Sequence, residues 1–226
     1  MGEYLHSGKF ETIPSPMIET GGEGCLKNIS IIVLLVCVFV FTQLSLRYVT
    51  DVARNEKLNK PLPDLYHQAL PERMRDWHEY SDWMPIIPMT LFILMDKGKH
   101  GFDFIFMVAI IYLLRAISFS ITVLPSPSTE CECEWEHEPK TMLRGMLNLL
   151  YQEGCNDLIF SGHTSMMVMS SLFLCYYCLG GSVLPQLLLV VYNIIGFVVI
   201  IGTRMHYSTD VFLASVINVL LFFSFR

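Results

Sequence analysis

Charged side chains are scarce in this chain: Asp, Glu, Lys and Arg make up 16% of its 226 residues, against about a quarter in soluble domains. Apolar residues reach 53% and the mean hydropathy is +0.47. Together these exclude an ordinary soluble globule and indicate an integral membrane protein. Lys and Arg are nowhere dense enough to grip nucleic acid, and the net charge is −6. The apolar runs lack the period-two alternation of a membrane barrel strand, so the expected fold is all-α, a polytopic helical bundle. No internal repeat is present. The first 24 residues hold no apolar run and contain Pro14, Pro16 and Gly21-Gly22. They read as a disordered tail rather than a signal peptide, leaving 25–226 as one domain.

What is present is a series of membrane-length apolar runs. A bilayer core of roughly 30 Å needs about 20 helical residues. Residues 29–49, 102–124, 161–180, 182–203 and 207–225 qualify. A sixth run, 83–95, has only 13 residues and carries Pro85 and Pro88, so it spans only by borrowing flanking residues or thinning the membrane. Six crossings put both termini on one side and the links before the second, fourth and sixth spans on the other.

Two histidines on that second side carry the chemistry. In Ser161-Gly162-His163-Thr164 a histidine follows glycine at a helix start, where free N–H groups and the helix dipole attract anions, and the glycine allows a phosphate to approach the backbone. In His206-Tyr207-Ser208-Thr209-Asp210 the histidine and carboxylate are four apart, on one face if helical. A carboxylate on one imidazole nitrogen fixes the tautomer and frees the other nitrogen to attack phosphorus. The span between the motifs returns the chain, so His163 faces His206, one attacking while the other protonates the leaving alkoxide. Arg115 lies about 14 Å inside its span. A charge at that depth is costly, so it is expected to face the bundle and contact phosphate or an acidic partner. Arg204 is a candidate clamp on phosphate oxygens.

The two histidine motifs resemble those of the lipid phosphate phosphatase and phosphotransferase superfamily, and further motifs resemble its sphingomyelin synthase-related branch. Pro61-Leu62-Pro63-Asp64 is similar to the first motif of that branch. Arg115, eight intervening residues and Leu124-Pro125-Ser126-Pro127 are similar to the second. Gly154-Cys155-Asn156-Asp157 through Thr164 resembles the third, and His206 through Asp210 the fourth. The resemblance implies a metal-independent transferase without cofactor, moving a phospho-headgroup from a glycerophospholipid to ceramide and releasing diacylglycerol. It implies His206 as nucleophile, Asp210 as its orienting partner and His163 as acid and then base. Asp157 is expected to stand behind His163, or else to cap a helix. The superfamily's Lys-x6-Arg-Pro motif is missing and Ile200 stands where a Ser-Arg pair is expected, which favours transferase over phosphatase. Gly202-Thr203-Arg204-x-His206-Tyr207 also resembles plant phosphatidylcholine:diacylglycerol cholinephosphotransferases, so diacylglycerol is an alternative acceptor. Transfer of phosphoethanolamine or phosphoinositol is an alternative to phosphocholine, and a homo-oligomer is compatible with the chain.

A quaternary ammonium would need aromatic faces, with Trp77, Trp83, Trp135, Tyr112 and Tyr207 as candidates. Cys131, Cys133 and Cys155 could form a disulfide if their side faces a lumen. Cys25, Cys37, Cys175 and Cys178 read as packing residues. Orientation is contested. The resemblance implies a lumenal or extracellular site in the Golgi or plasma membrane. Nine Lys and Arg on the motif side against five on the other point to the cytosol.

Overall fold

The computed structural model describes residues 21–58, 60–128 and 155–225, with side chains from Ile29 onward. All regular structure among them is helical: α1 (Gly21–Asn55), α2 (Leu65–Ala69), α3 (His78–Asp96), α4 (Gly101–Ile121), α5 (Gly162–Phe173), α6 (Val183–Gly202) and α7 (Ser208–Ser224). A 3₁₀ turn, Glu72–Asp76, precedes α3, and α5 continues into a π turn, Leu174–Cys178. The first helix starts at Gly21, so residues 21–24 belong to it and not to the expected tail.

Three helices are long and apolar enough to cross a membrane: α1 over Ile29–Asn55, α4 and α6. The other three of the six expected crossings are shorter or more polar among the described residues. The run expected at 83–95 becomes a 19-residue helix, α3, by taking in flanking residues at both ends. One of its two prolines is accommodated by a neighbouring helix. Pro88 cannot donate to the carbonyl four residues back, that of Met84, and the Tyr192 hydroxyl donates to that oxygen at 2.9 Å instead.

The central helix is α5, which touches α3, α4, α6 and α7. It buries Thr164, Ser165, Ser170 and Ser171 along with Met167, Met169 and Phe173, the mark of a helix surrounded by protein rather than lipid. Close approach to α6 depends on Gly196, where an added Cβ would lie 2.4 Å from Met167 Sδ. Away from the histidine end, Phe92, Phe104, Phe173 and Phe222 interlock with ring centroids 5.1 to 5.4 Å apart. Outward faces are apolar: Leu187, Leu188, Val191, Ile194 and Val198 of α6 are exposed, as are Ile32, Val36 and Val40 of α1. This inverted pattern fits a hydrocarbon surround. The chain is an all-α membrane protein. Alternating helix directions bring the C-terminal ends of α1, α4 and α6 together with the N-terminal ends of α3, α5 and α7, and the polar cluster forms there.

Candidate active site

His163 occupies the first turn of α5. The N-cap is Ser161, fully buried, whose Oγ accepts from Thr164 N at 3.2 Å. Its carbonyl accepts from the Ser165 backbone and hydroxyl, at 3.0 and 2.7 Å. Ser161 thus builds the helix start that aims His163. On the other side, His163 Nε2 meets Asp82 Oδ1 of α3 at 3.0 Å. Sequence reasoning missed Asp82. The available signal was a carboxylate immediately ahead of the 83–95 apolar run, where charge is expensive near lipid.

Gly162 also makes room for a contact that is not visible in the sequence. A Cβ built at this glycine would lie 2.9 Å from Arg115 Nη1, so the missing side chain makes room for the guanidinium. Arg115 Nε donates to the Phe160 carbonyl at 2.9 Å. Its Nη2 donates to the Asp157 carboxylate, forming a largely buried ion pair. Asp157 therefore neither stands behind His163 nor caps α5, since Asp82 and Ser161 hold those places. Six residues from the end of α4, Arg115 is about 9 Å below it; its acidic partner and the carbonyl hold the guanidinium beside the start of α5.

His206 also departs from expectation. It precedes α7 instead of lying on it, so a shared helical face does not produce its contact with Asp210. Asp210 is the third residue of α7. Its Oδ2 accepts from Tyr207 N at 3.1 Å and its Oδ1 from Ile159 N at 3.1 Å. This folds the chain ahead of the helix back over the carboxylate, bringing His206 Nδ1 to 3.4 Å from Oδ2. Nδ1 has no hydrogen-bond partner among the described residues, so its contact with Asp210 is one of proximity. Both His206 and Asp210 are buried, at 3% and 1% exposure. Ile159 adopts φ +77°, left-handed backbone that a β-branched residue rarely enters. The hydrogen bond to Asp210 holds it there. Strain at such a point is commonly stored beside functional groups.

A further set of contacts fixes the His206 turn. Asp64 caps α2 through Oδ1, which accepts from Tyr66 N and His67 N, while Oδ2 accepts from Ser208 N and Oγ, both at 2.8 Å. Burial pushes the Asp64 carboxyl up, but the Ser208 and His67 hydrogen bonds outweigh it and hold the group below the usual carboxylate range. His67 Nε2 donates to the His206 carbonyl at 3.1 Å, and Arg204 Nη2 donates to the His67 carbonyl at 3.0 Å. Burial lowers the His67 ring below the ordinary histidine value despite nearby Asp64. The Tyr207 hydroxyl accepts from Leu62 N at 2.9 Å and donates to the Pro125 carbonyl at 3.0 Å. Asn156 Nδ2 adds a bond to the Leu124 carbonyl at 2.8 Å. Segments scattered along the sequence thus meet through backbone groups.

The result is a cavity of about 740 Å³ lined by His163, His206, Asp82, Arg115, Arg204 and Gly162, with Ser126, Ser128 and Asp157 also on its wall. This volume lies within the range of ligand sites. The two imidazole rings stand edge to face, with planes at 63° and centroids 6.4 Å apart. Both rings border the same cavity. Of the aromatic candidates for a headgroup cage, Tyr112 lines the cavity. Trp77 and Trp83 are exposed elsewhere, Tyr207 is committed through its hydroxyl, and Trp135 lies outside the described residues. Cys25, Cys131 and Cys133 lie outside the described side chains as well. Among the described residues, no group of three or more His, Cys, Asp or Glu side chains could hold a metal ion.

Residues 154–226 match the family model described as PAP2 superfamily C-terminal. The PAP2 match covers the strained Ile159 turn, Ser161 to His163 and His206 to Asp210. It supports the lipid phosphate phosphatase and phosphotransferase superfamily, whose members act as phosphatases or phosphotransferases on lipid phosphates. Asp82 and Asp64 lie outside the matched segment and reach it only through the fold. No curated protein matches the chain.

Proposed function

We propose that the protein transfers a phospho-headgroup between membrane lipids, from a glycerophospholipid donor to the primary hydroxyl of ceramide, releasing diacylglycerol. The observation that carries this reading is the edge-to-face pair His163 and His206, each beside its own carboxylate, on the wall of one cavity. Nδ1 of His206 faces Asp210, leaving Nε2 to attack phosphorus. The P–O bond to the diacylglycerol oxygen breaks, its electron pair stays on that oxygen, and His163 supplies the proton. The acceptor hydroxyl oxygen then attacks phosphorus, the P–N bond breaks with its pair returning to His206, and the hydroxyl proton passes to His163. One phosphodiester is consumed and one is formed. Arg204, with one guanidinium nitrogen committed to the His67 carbonyl, is the candidate to hold phosphate oxygens, with Arg115 beside it.

Cysteine chemistry supports one orientation. Cys155 lines the cavity and is disulfide-bonded. Disulfides persist in oxidising compartments, which favours a lumenal or extracellular site over the cytosolic side suggested by the charge count, and fits the Golgi or plasma membrane. The test is to incubate purified full-length protein with phosphatidylcholine, phosphatidylethanolamine and phosphatidylinositol, each with ceramide or diacylglycerol, and identify products by mass. A new phospho-headgroup sphingolipid, lost in His206→Ala, is the expected product. Release of inorganic phosphate from phosphatidate or ceramide phosphate, without transfer, would establish a phosphatase instead.

A further inference from the structure

A second, narrower cavity of about 340 Å³ runs between α1 and α4, lined by Leu35, Val38, Phe39, Leu46, Val108 and Phe119. It shares Tyr112, Arg115, Asp157 and Met166 with the histidine cavity, so the two spaces adjoin. The two helices run in the same direction, and Leu46 and Val49 pack with Ala116 and Phe119 at the end nearer the site. One polar residue interrupts this apolar groove without a local explanation. Thr42 satisfies its hydroxyl on the Val38 carbonyl at 2.8 Å, but the buried Gln43 Oε1 has no hydrogen-bond partner among the described residues. In α1 register, Gln43 lies about one turn deeper than the Leu46 level. A buried acceptor left unmatched is costly, and a polar side chain inside a membrane span points to function.

We propose that this groove holds a hydrocarbon chain of the acceptor lipid, and that Gln43 Oε1 accepts a hydrogen bond from a donor group at the acceptor's interfacial backbone. The groove's continuity with the histidine cavity sets the direction: reacting hydroxyl between the histidines, backbone below Arg115, chain descending along Val38 and Leu35. The unmatched acceptor sets the class. A ceramide carries an amide N–H and a second hydroxyl just below its primary hydroxyl, whereas the ester linkages of diacylglycerol offer acceptors only. Gln43 therefore selects an N-acylated sphingoid lipid over diacylglycerol. This inference rests on the headgroup-transfer reading and adds the determinant of acceptor choice.

Two measurements test it. Full-length protein in nanodiscs is irradiated with a ceramide bearing a diazirine in its N-acyl chain, and adducts are mapped by mass spectrometry. Labelling is expected on residues 35–46 and 108–119 and should be displaced by unlabelled ceramide. Adducts concentrated at a separate apolar cleft between α3 and α6, lined by Pro88, Leu188 and Tyr192, or scattered over the lipid-facing surface, would overturn the assignment. In parallel, kcat/KM is measured for ceramide and diacylglycerol with wild type and Gln43→Leu. The ceramide-to-diacylglycerol ratio is expected to fall about tenfold, the worth of one buried hydrogen bond. An unchanged ratio sinks the role of Gln43. If wild type transfers to neither acceptor, the transferase reading fails, while the labelling map still reports whether ceramide occupies the groove.

Discussion

Asp82 Oδ1 lies 3.0 Å from His163 Nε2 although 81 residues separate them. The helix that extends the shortest of the six expected spans, α3, therefore contributes a carboxylate just ahead of the expected run, and the site exists only when α3 is packed against α5. Asp82 is 57% exposed at its side chain, while Asp210, serving the other histidine, is 1% exposed. The two carboxylates thus work in different surroundings. One is rigidly enclosed, and the other lies where a substrate can compete for it.

Asp82→Asn is expected to lower kcat by about ten- to a hundredfold, since general acid–base assistance contributes about 10²–10⁴ in all. It should also displace the limb of the pH–rate profile that reports His163. Steady-state kinetics from pH 5.5 to 9 check this. A profile superimposable on wild type would mean that Asp82 does not act through His163.

Gly162→Ala places a methyl 2.9 Å from Arg115 Nη1. The guanidinium end of Arg115 is flexible enough to move, so the helix should still form while the Phe160 and Asp157 contacts are disturbed. The expected outcome is a normal thermal unfolding midpoint with activity reduced about tenfold or more, given the sensitivity of reacting groups to small misplacement. Wild-type activity would show that the position of Arg115 is unimportant.

Tyr207→Phe removes the hydroxyl joining Leu62 to Pro125. A lost intramolecular hydrogen bond costs about 0.5–1.5 kcal/mol, and leaving a buried partner unmatched costs more. Denaturant unfolding in detergent should show destabilisation of about 1–3 kcal/mol. Thiol alkylation of a cysteine introduced at Leu62 should speed up in step, because that segment loses its anchor.

His67 gives a pH prediction with a definite sign. Its folded-state affinity for protons is lowered, chiefly by burial. The unfolded chain therefore binds more protons between the two pKa values, and stability rises with pH there. The contribution is fully present above the ordinary histidine value of about 6.5 and is lost as pH falls below it toward the folded value. Thermal midpoints measured from pH 7.5 to 5.5 should decline more steeply for wild type than for His67→Gln, which keeps a hydrogen-bond donor and does not titrate. Parallel declines would exclude His67 as the source. Asp64 has the same sign in a more acidic window, below the usual carboxylate range.

The helical class, the approximate span limits and both histidines were legible in the sequence because each depends on near neighbours along the chain. Twenty apolar residues form a helix in lipid whatever surrounds them, and His163 reads as a helix-start residue from its place after Gly162 at the head of an apolar run. The local pattern around His206 was less informative. Spacing of four suggested a helical face, whereas Asp210 holds Tyr207 N and Ile159 N and bends the chain before α7 begins.

Only tertiary structure decided the partners. Nothing near Arg115 in sequence indicates Asp157, nothing near His163 indicates Asp82, and the capping carboxylate Asp64 gives no local sign that it also holds Ser208. Sequence by itself determined which residues had to be helical and which polar groups were too costly to leave in lipid, because hydrophobicity and helical periodicity are properties of short stretches. Which carboxylate meets which cation depends on how separate helices pack, and that follows from side-chain shape, as at Gly162 and Gly196, across elements far apart in the chain.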